Sequence, residues 1–596
     1  MRHLVFLISF ISAFAASLSG QSYSGGYYDT NPVPPFILEQ FGPFGPQDKT
    51  YVAPVGAIFV APDGKDSNTG DSIAEPTTIE WAIANAKTGD TIVMRGGLYR
   101  TGQLSFATQI TIQPYLDEQP VLKGSRVAIN WEKRGEHWAT PWEKLYPQDP
   151  PPYYNPERHG PPCLWNQDLV VVDGVMLTPV GALGELTDDT FFCDYEQKAV
   201  YLANNPSGKT VEITYYEFGL LRTHDSDSDP VGPTIDGIDI LQYSAQCIAI
   251  LGDDPYRTIE LHEMPEGPIG TRIVNCRALM TPRTGVRVIS PQSYIAYNDI
   301  SRHGSVCMTV RMSHDSVFEH NIVNGGNIFQ HRSFPSGIKV FNQSHAYITR
   351  NNIFDDMTCI ALWYDVGHRE SVIYDNYFRN CGKGLKIEIS HRAYIANNVF
   401  DRSELFLCNA GECEVFNNTL IDSRMDIMRN NRGIRWNKRF SFNHAATGPG
   451  IYGYHGHKIA NNIFAGNPRD DILFQIDDRN EHDPEFPAEL ITNNLFAGTN
   501  NIAFEAQFQP NDWPMTQFKT LEEFDEVYGE FVSGNEQIEI DLNALFHSRQ
   551  TGDLRLNDLP GLIPGTAIPY AVAQMLGWKT VGNNVGAFGH QKGVIP

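Results

Sequence analysis

Residues 336–400 read SGIKVFNQSHAYITRNNIFDDMTCIALWYDVGHRESVIYDNYFRNCGKGLKIEISHRAYIANNVF, and this stretch decides the fold. Short apolar runs alternate with Asn-containing turns, and Asn352, Asn376 and Asn398 are separated by 24 and 22 residues. One cycle ends in Ala361-Leu-Trp-Tyr-Asp365 and the next in Gly384-Leu-Lys-Ile-Glu388. Successive side chains of a strand face opposite ways. Leu362, Tyr364, Leu385 and Ile387 are therefore expected to point inward, and Trp363, Asp365, Lys386 and Glu388 outward. If each cycle is one coil of a solenoid, Asp365 lies beside Glu388 on adjacent strands about 4.8 Å apart.

Outward from this stretch the turn positions recur at Asn275, Asn298, Asn321, Asn418, Asn462 and Asn494. Asn tolerates left-handed backbone and bonds along a stack, so these residues read as structural. The cycle predicts an all-β protein, a single-stranded parallel β-helix that can run as one body over much of the 596 residues. Residues 56–130 start the solenoid. Ile58-Phe-Val is a strand, Thr78-Ile-Glu-Trp-Ala-Ile-Ala-Asn-Ala86 is a short amphipathic helix with Thr77 or Thr78 as N-cap, and Asp90-Thr-Ile…Gly97-Leu-Tyr99 opens the strand series. Such a helix covers the otherwise open first coil. This series resembles the start of many secreted right-handed, pectate-lyase-like β-helix enzymes.

Between residues 131 and 223 the rhythm stops. Leu169–Leu177, Thr190–Tyr195 and Ala199–Leu202 read as short antiparallel strands of an inserted β-sandwich-like domain that walls one end of a groove. Residues 224–596 carry the main β-helix. The stretch Arg424–Tyr454 is a long loop expected to border the groove, Leu521–Glu530 is helical, and Gly552–Leu556 and Val585–Phe588 are strand-like closing pieces. Residues 21–55, rich in Gly, Pro and Tyr, read as an extended N-terminal arm.

The apolar run Leu4–Ala16, followed by small residues up to Gly20, reads as a signal peptide over residues 1–20, so a secreted or periplasmic location is expected. No later segment is apolar enough to span a bilayer. A formal net charge of −25 argues against nucleic acid as a partner, because phosphate neutralisation needs clustered Lys and Arg. Nine cysteines leave at least one unpaired. Cys247, Cys276, Cys307, Cys359 and Cys381 suit buried stacking positions, while Cys408 and Cys413 could pair across a tight loop. The absence of CxxC or a His cluster leaves no metal or other cofactor to expect.

The chemistry rests on the two outward acids. Retaining glycoside hydrolysis uses one carboxyl group as acid and base and a second, about 5–5.5 Å away, as nucleophile. Asp365 and Glu388 on adjacent coils meet that spacing. An acidic chain also produces such neighbours by chance, as ordinary surface residues. Trp363-Tyr-Asp365-Val and, 23 positions later, Gly384-Leu-Lys-Ile-Glu388-Ile-Ser390 resemble the paired segments of glycoside hydrolase family 120. The related family 141 shares much of the layout. That resemblance implies a retaining, exo-acting β-xylosidase-like hydrolase of plant or algal glycans, with an oligo- or polysaccharide as substrate. It makes Asp365 the nucleophile, Glu388 the acid/base and Trp363 a sugar platform. Lys386 stands where an apolar or aromatic residue is expected, and could bind a carboxylate or sulfate. Lys339, Asn409 and Arg429 complete the expected binding residues. Two other readings stay open: a polysaccharide lyase using a Lys or Arg as base, and a non-catalytic carbohydrate-binding β-helix.

Overall fold

Asparagine side chains tie each coil to the next. In the computed structural model, which describes residues 32–150, 154–252, 267–332, 335–341, 344–430, 454–468, 472–479, 485–498, 502–508, 516–558, 573 and 585–588, the N–H of Asn298 donates to Oδ1 of Asn321 (2.9 Å). The same bond repeats through Asn352, Asn376, Asn398, Asn418, Asn462, Asn494 and Asn535, at 2.9–3.1 Å. Each Nδ2 also donates to the next Oδ1 and to a carbonyl of the preceding coil, as Asn376 does to Asn398 and to Thr349. The left-handed residue of each turn is not the ladder Asn but the one before it, at Tyr297, His320, Asn351, Asp375, Asn397, Asn417, Asn461 and Asn493. Asn275 belongs to that left-handed row (φ 55°), and Cys276 takes the ladder place.

The ladder joins two long sheets. One has fourteen strands, from Ile58–Val60 to Val532–Ser533, every neighbour parallel and one strand per coil. The second carries the candidate site on β1 (Val306–Arg311), β2 (Ser336–Phe341), β3 (Ile353–Asp365), β4 (Tyr377–Glu388), β5 (Val399–Cys408), β6 (Met425–Asn430) and β7 (Ile472–Arg479), which pair in parallel in that order. This is a right-handed parallel β-helix. The expected alternation holds: Leu362, Tyr364, Leu385 and Ile387 lie in the core that runs through the coils. Phe354, Phe378 and Phe400 stack inside it with ring centroids 4.8 and 4.7 Å apart.

At the N-terminal end, helix Ile79–Asn85 starts on Thr78, whose side chain accepts from the Trp81 N–H. It buries Ile79, Ala82 and Ile83 on the first coil. The interruption holds two small sheets built from strands between Ser125–Val127 and Val211–Thr214, one of four strands and one of five. They share a core that includes Val170, Phe191, Val200 and Ile213. Leu164, Val171 and Met176 then dock on Leu279, Met280 and Phe329 of the coils. Strand Phe218–Arg222 already pairs with Leu104–Phe106 and Gln246–Ile250, so the coils resume before residue 224.

Three expectations are corrected. The N-terminal arm is not wholly extended: Pro35–Phe41 is a helix whose Ile37 and Phe41, four apart, bury against Tyr377, Val399 and Ile463 on the flank of the coils. Val585–Phe588 is a turn, since Gly586 and Phe588 have positive φ, and it donates to Asn461, Thr419 and Asn397. No disulfide joins Cys408 to Cys413 or forms among the other seven cysteines, so hydrogen bonds and packing hold the coils. The expected signal peptide and most of the loop Arg424–Tyr454 lie outside the described residues. Among those described, no helix is long and apolar enough to cross a membrane.

Asn376 has no exposed surface and five side-chain hydrogen bonds to neighbouring residues. Asn376→Ala leaves their partners buried and unpaired, at about 1–3 kcal/mol for each group. Urea unfolding is expected to show a loss of about 3 kcal/mol; a loss within error of zero would remove the ladder from its structural role.

Candidate active site

Asp365 and Glu388 end β3 and β4 and are register partners, so their Cα atoms are neighbours across one strand spacing. Both point away from the core, yet neither is exposed: Asp365 is 7% and Glu388 1% accessible. A buried carboxylate needs a partner charge. Lys339, on the preceding strand, places Nζ 2.9 Å from Asp365 Oδ2. Lys386, two residues before the acid on β4, places Nζ 2.7 Å from Glu388 Oε2. Trp363 sits between them. Its indole N–H donates to Glu388 Oε2 (3.0 Å), and its ring face takes Lys339 Nζ at 3.4 Å and Lys386 Nζ at 4.7 Å from the centroid. Such cation–π contacts need the register Lys339–Trp363–Lys386 across three strands, which the pairing provides.

The two acids differ in their remaining oxygens. Asp365 Oδ1 is buried and accepts no hydrogen bond. Glu388 Oε1 has the Cys408 thiol 3.9 Å away. An uncommitted carboxylate oxygen is what a nucleophile presents, whereas an oxygen outside the ion pair is where an acid can carry its proton.

The turn after the acids is fixed by groups that the sequence reading did not single out. His368 Nδ1 lies 2.7 Å from the Ser344 carbonyl and Nε2 3.2 Å from the Asp365 carbonyl, and burial pulls its pKa down to about 4. The His368 N–H donates to Ser390 Oγ, which in turn donates to the Glu388 carbonyl. Val366 and Ile389 adopt left-handed φ just after each acid. Two β-branched residues with positive φ at matching places are uncommon and cluster where function holds the backbone. The only sequence sign of His368 is its place three residues after Asp365.

Of the expected binding residues, Lys339, Trp363 and Lys386 are brought to the acids. Asn409 is buried and bonds Asn430 in both directions (2.8 and 3.0 Å). Arg429 is fully buried in an ion pair with Asp478 and also donates to the carbonyls of Tyr454 and Glu485. Their polar groups hold neighbouring coils and loops together. Farther along the outward face, Asp426 meets Lys383 (3.7 Å) and Arg424 (2.8 Å). Its pKa is raised to about 6, burial outweighing those cations. On the other side the insertion reaches the coil loops: Arg283 lies 4.4 Å over the Trp165 ring, and His331 meets that ring edge-on at 5.9 Å.

A family model described as periplasmic copper-binding protein (NosD) matches residues 269–404 and 326–535. Among the described residues, no group of three or more His, Cys, Asp or Glu side chains is placed to hold a metal ion. No curated protein matches the sequence. Among solved structures, the chain is similar to XylC in complex with xylose, with a TM-score of 0.54 and 14% identity over 76% of this chain and 85% of that one. It also resembles a chain described as a glycoside hydrolase (TM-score 0.39, 10% identity, 62% and 93% covered). A third likeness is to pectate lyase Pel9A (TM-score 0.34, 12% identity, 89% and 96% covered). At such identities the likeness to XylC is one of fold, the right-handed parallel β-helix already evident in the strand pairing.

Proposed function

We propose that this chain is an exported glycoside hydrolase that cleaves glycosidic bonds of plant or algal glycans with retention of configuration, as a β-xylosidase-like, exo-acting enzyme. The observation that carries the proposal is the register pairing of Asp365 with Glu388 on the outward face, each acid held by its own lysine. Side by side across one strand spacing, the two carboxyl groups suit the short separation of retaining enzymes. In the first step Asp365 Oδ1 attacks the anomeric carbon while Glu388 gives its proton to the departing oxygen, forming a glycosyl ester. In the second, Glu388 takes a proton from water, whose oxygen displaces Asp365. Lys339 supplies the counter-charge of the nucleophile, and Lys386 and the indole N–H orient Glu388. The motif resemblance to glycoside hydrolase family 120 and the fold shared with XylC agree with this assignment. The inserted sheets and Trp165 close one end of the cleft in this reading, which favours a blocked pocket.

A lyase would need a Lys or Arg to abstract a proton. Lys339 and Lys386 are each committed to one of the acids, which counts against them in that role. The ultraviolet absorbance of an unsaturated product separates the two chemistries.

With aryl β-glycosides, Asp365→Asn and Glu388→Gln are each expected to lower kcat by roughly 10²–10⁴-fold. Azide is expected to restore turnover to Asp365→Gly with inverted product. An active preparation that either substitution leaves unslowed rules the assignment out. Lys339→Met breaks a buried ion pair and is expected to cost roughly 3–5 kcal/mol in urea unfolding, with Lys339→Arg recovering part of the loss. Equal stability of all three proteins would show that Asp365 does not depend on this cation.

A further inference from the structure

Just past the outward acids the chain turns a corner, and serine hydroxyls link successive coils there. The Ser290 N–H donates to Ser313 Oγ and the Ser313 N–H to Ser344 Oγ, both at 3.1 Å. Farther along the stack, the His368 N–H donates to Ser390 Oγ at 3.2 Å. The coil of Asp365 thus places a histidine in this series, between the coils of Ser344 and Ser390.

His368 is 2% exposed, and both its ring nitrogens face main-chain oxygens. Nδ1 lies 2.7 Å from the Ser344 carbonyl, on the coil of Lys339, and Nε2 lies 3.2 Å from the Asp365 carbonyl. A neutral imidazole has one N–H, and burial keeps this ring neutral near pH 7 by lowering its pKa to about 4. The shorter contact places the proton on Nδ1, bonded to Ser344. On the core side the Tyr364 ring meets the imidazole edge-on at 5.2 Å, and its hydroxyl lies 2.8 Å from that of Thr349. The plane of the imidazole is therefore set from two directions.

The backbone between Asp365 and His368 needs such a hold. Val366 and Gly367 have φ of 62° and 84°, and a β-branched residue adopts the left-handed region only where its surroundings impose it. The Val366 N–H donates to the Glu388 carbonyl (3.1 Å) and the Gly367 N–H to the Ile389 carbonyl (2.8 Å), both on the coil ahead. The Glu388 carbonyl takes a second bond from Ser390 Oγ (2.9 Å), the same hydroxyl that accepts from the His368 N–H. The imidazole adds a tie to the coil behind, at Ser344. One residue thus joins the coil of Lys339 to the ends of both acid strands.

We propose that His368 is the positioning residue of the acid pair: by bridging Ser344 to the corner that follows Asp365 and Glu388, it fixes the separation and direction of the two carboxyl groups. The proposal rests on the hydrolase reading of those acids and adds to it the group that holds them at reacting distance. His368 itself is buried beneath the site and acts through the backbone.

Steady-state kinetics with aryl β-glycosides, run beside equilibrium binding of the matching thioglycosides, test this. His368→Phe keeps a ring and loses its N–H. It is expected to lower kcat about 10²-fold, because a small displacement of reacting groups suffices for that. KM and thioglycoside affinity are expected to stay within about two-fold of wild type. The amide of Asn reaches the place of Nδ1 and that of Gln the place of Nε2. His368→Asn is therefore expected to regain about ten-fold in kcat, and His368→Gln to resemble His368→Phe. Ser390→Ala is expected to lower kcat about ten-fold and replaces His368→Phe if that protein does not fold. A kcat within about two-fold of wild type in these variants, a loss that falls on KM or thioglycoside binding instead, or equal recovery by Asn and Gln overturns the proposal. Amide exchange at Val366 and Gly367, read by mass spectrometry, is expected to quicken about ten-fold in His368→Phe or Ser390→Ala. Exchange needs no turnover, so the two failures separate. A wild-type protein that cleaves none of the glycosides, or that Asp365→Asn leaves active, overturns the hydrolase reading; unchanged exchange overturns the role of His368.

Discussion

In-register stacking of the coils is the constraint on which the site depends. A slip of one residue would carry Asp365 and Glu388 to the inner face and put Tyr364 and Ile387 outside. The asparagine ladder prevents that slip, because each side chain accepts from the coil before it and donates both to that coil and to the next. It does not by itself align the acids. Asp365 follows its ladder residue Asn352 by 13 positions and Glu388 follows Asn376 by 12. The extra residue is absorbed where the pairing of β3 with β4 shifts between Met357 and Ile360. Beyond that irregularity the register runs unbroken through Leu362, Trp363 and Tyr364 to the acids. Bulges of this kind re-aim side chains and recur near functional sites.

Burial and charge are balanced by the same stacking. Two carboxylates with almost no solvent contact would repel one another on adjacent strands. Lysines on the strand before and on the second strand itself turn that repulsion into two ion pairs. Trp363 keeps these pairs distinct: its face attracts both ammonium groups, while its N–H donates to Glu388. The indole thus treats the two acids unequally. Glu388 is tied at Oε2 by two donors, and Asp365 Oδ1 accepts no hydrogen bond. Unequal surroundings for two nearby carboxyl groups are what a division of labour between nucleophile and acid requires.

Much of this was legible in the sequence, because alternation on a strand is a local property. Leu362, Tyr364, Leu385 and Ile387 faced the core as their period demanded, and the helix cap at Thr78 followed from its side chain. The pairing of Lys339 with Asp365 was only half legible, since alternation set its face but the neighbouring strand set its partner. The ladder was misread by one position at Asn275 because most turns carry an Asn-Asn pair, as at Asn351-Asn352 and Asn397-Asn398. In these the first residue turns left-handed and the second bonds along the stack. Composition cannot say which does which; the Asn275-Cys276 turn separates the two roles. Arg429 illustrates another limit. Its type suits a sugar ligand, but its place next to Asp478 in the register turns it into a buried structural pair. The helix Pro35–Phe41 was hidden in a Pro- and Gly-rich stretch, where packing of Ile37 and Phe41 against the coil flank and the closing segment stabilises it.

The architecture separates what must be kept from what can vary. Asn418 and Asn462 are 44 residues apart, yet their ladder bond is 2.9 Å long, like those of coils half that length. Insertions at a corner therefore leave the next coil in register, because the closure cost of a longer loop grows only slowly with its length. The sheets docked through Leu164, Val171 and Met176 are an insertion of the same kind on a larger scale. Under the hydrolase reading, the acids and their lysines belong to the strands, whose spacing tolerates almost no change. A change of sugar can then be reached by altering corners and loops, while the two carboxyl groups stay side by side.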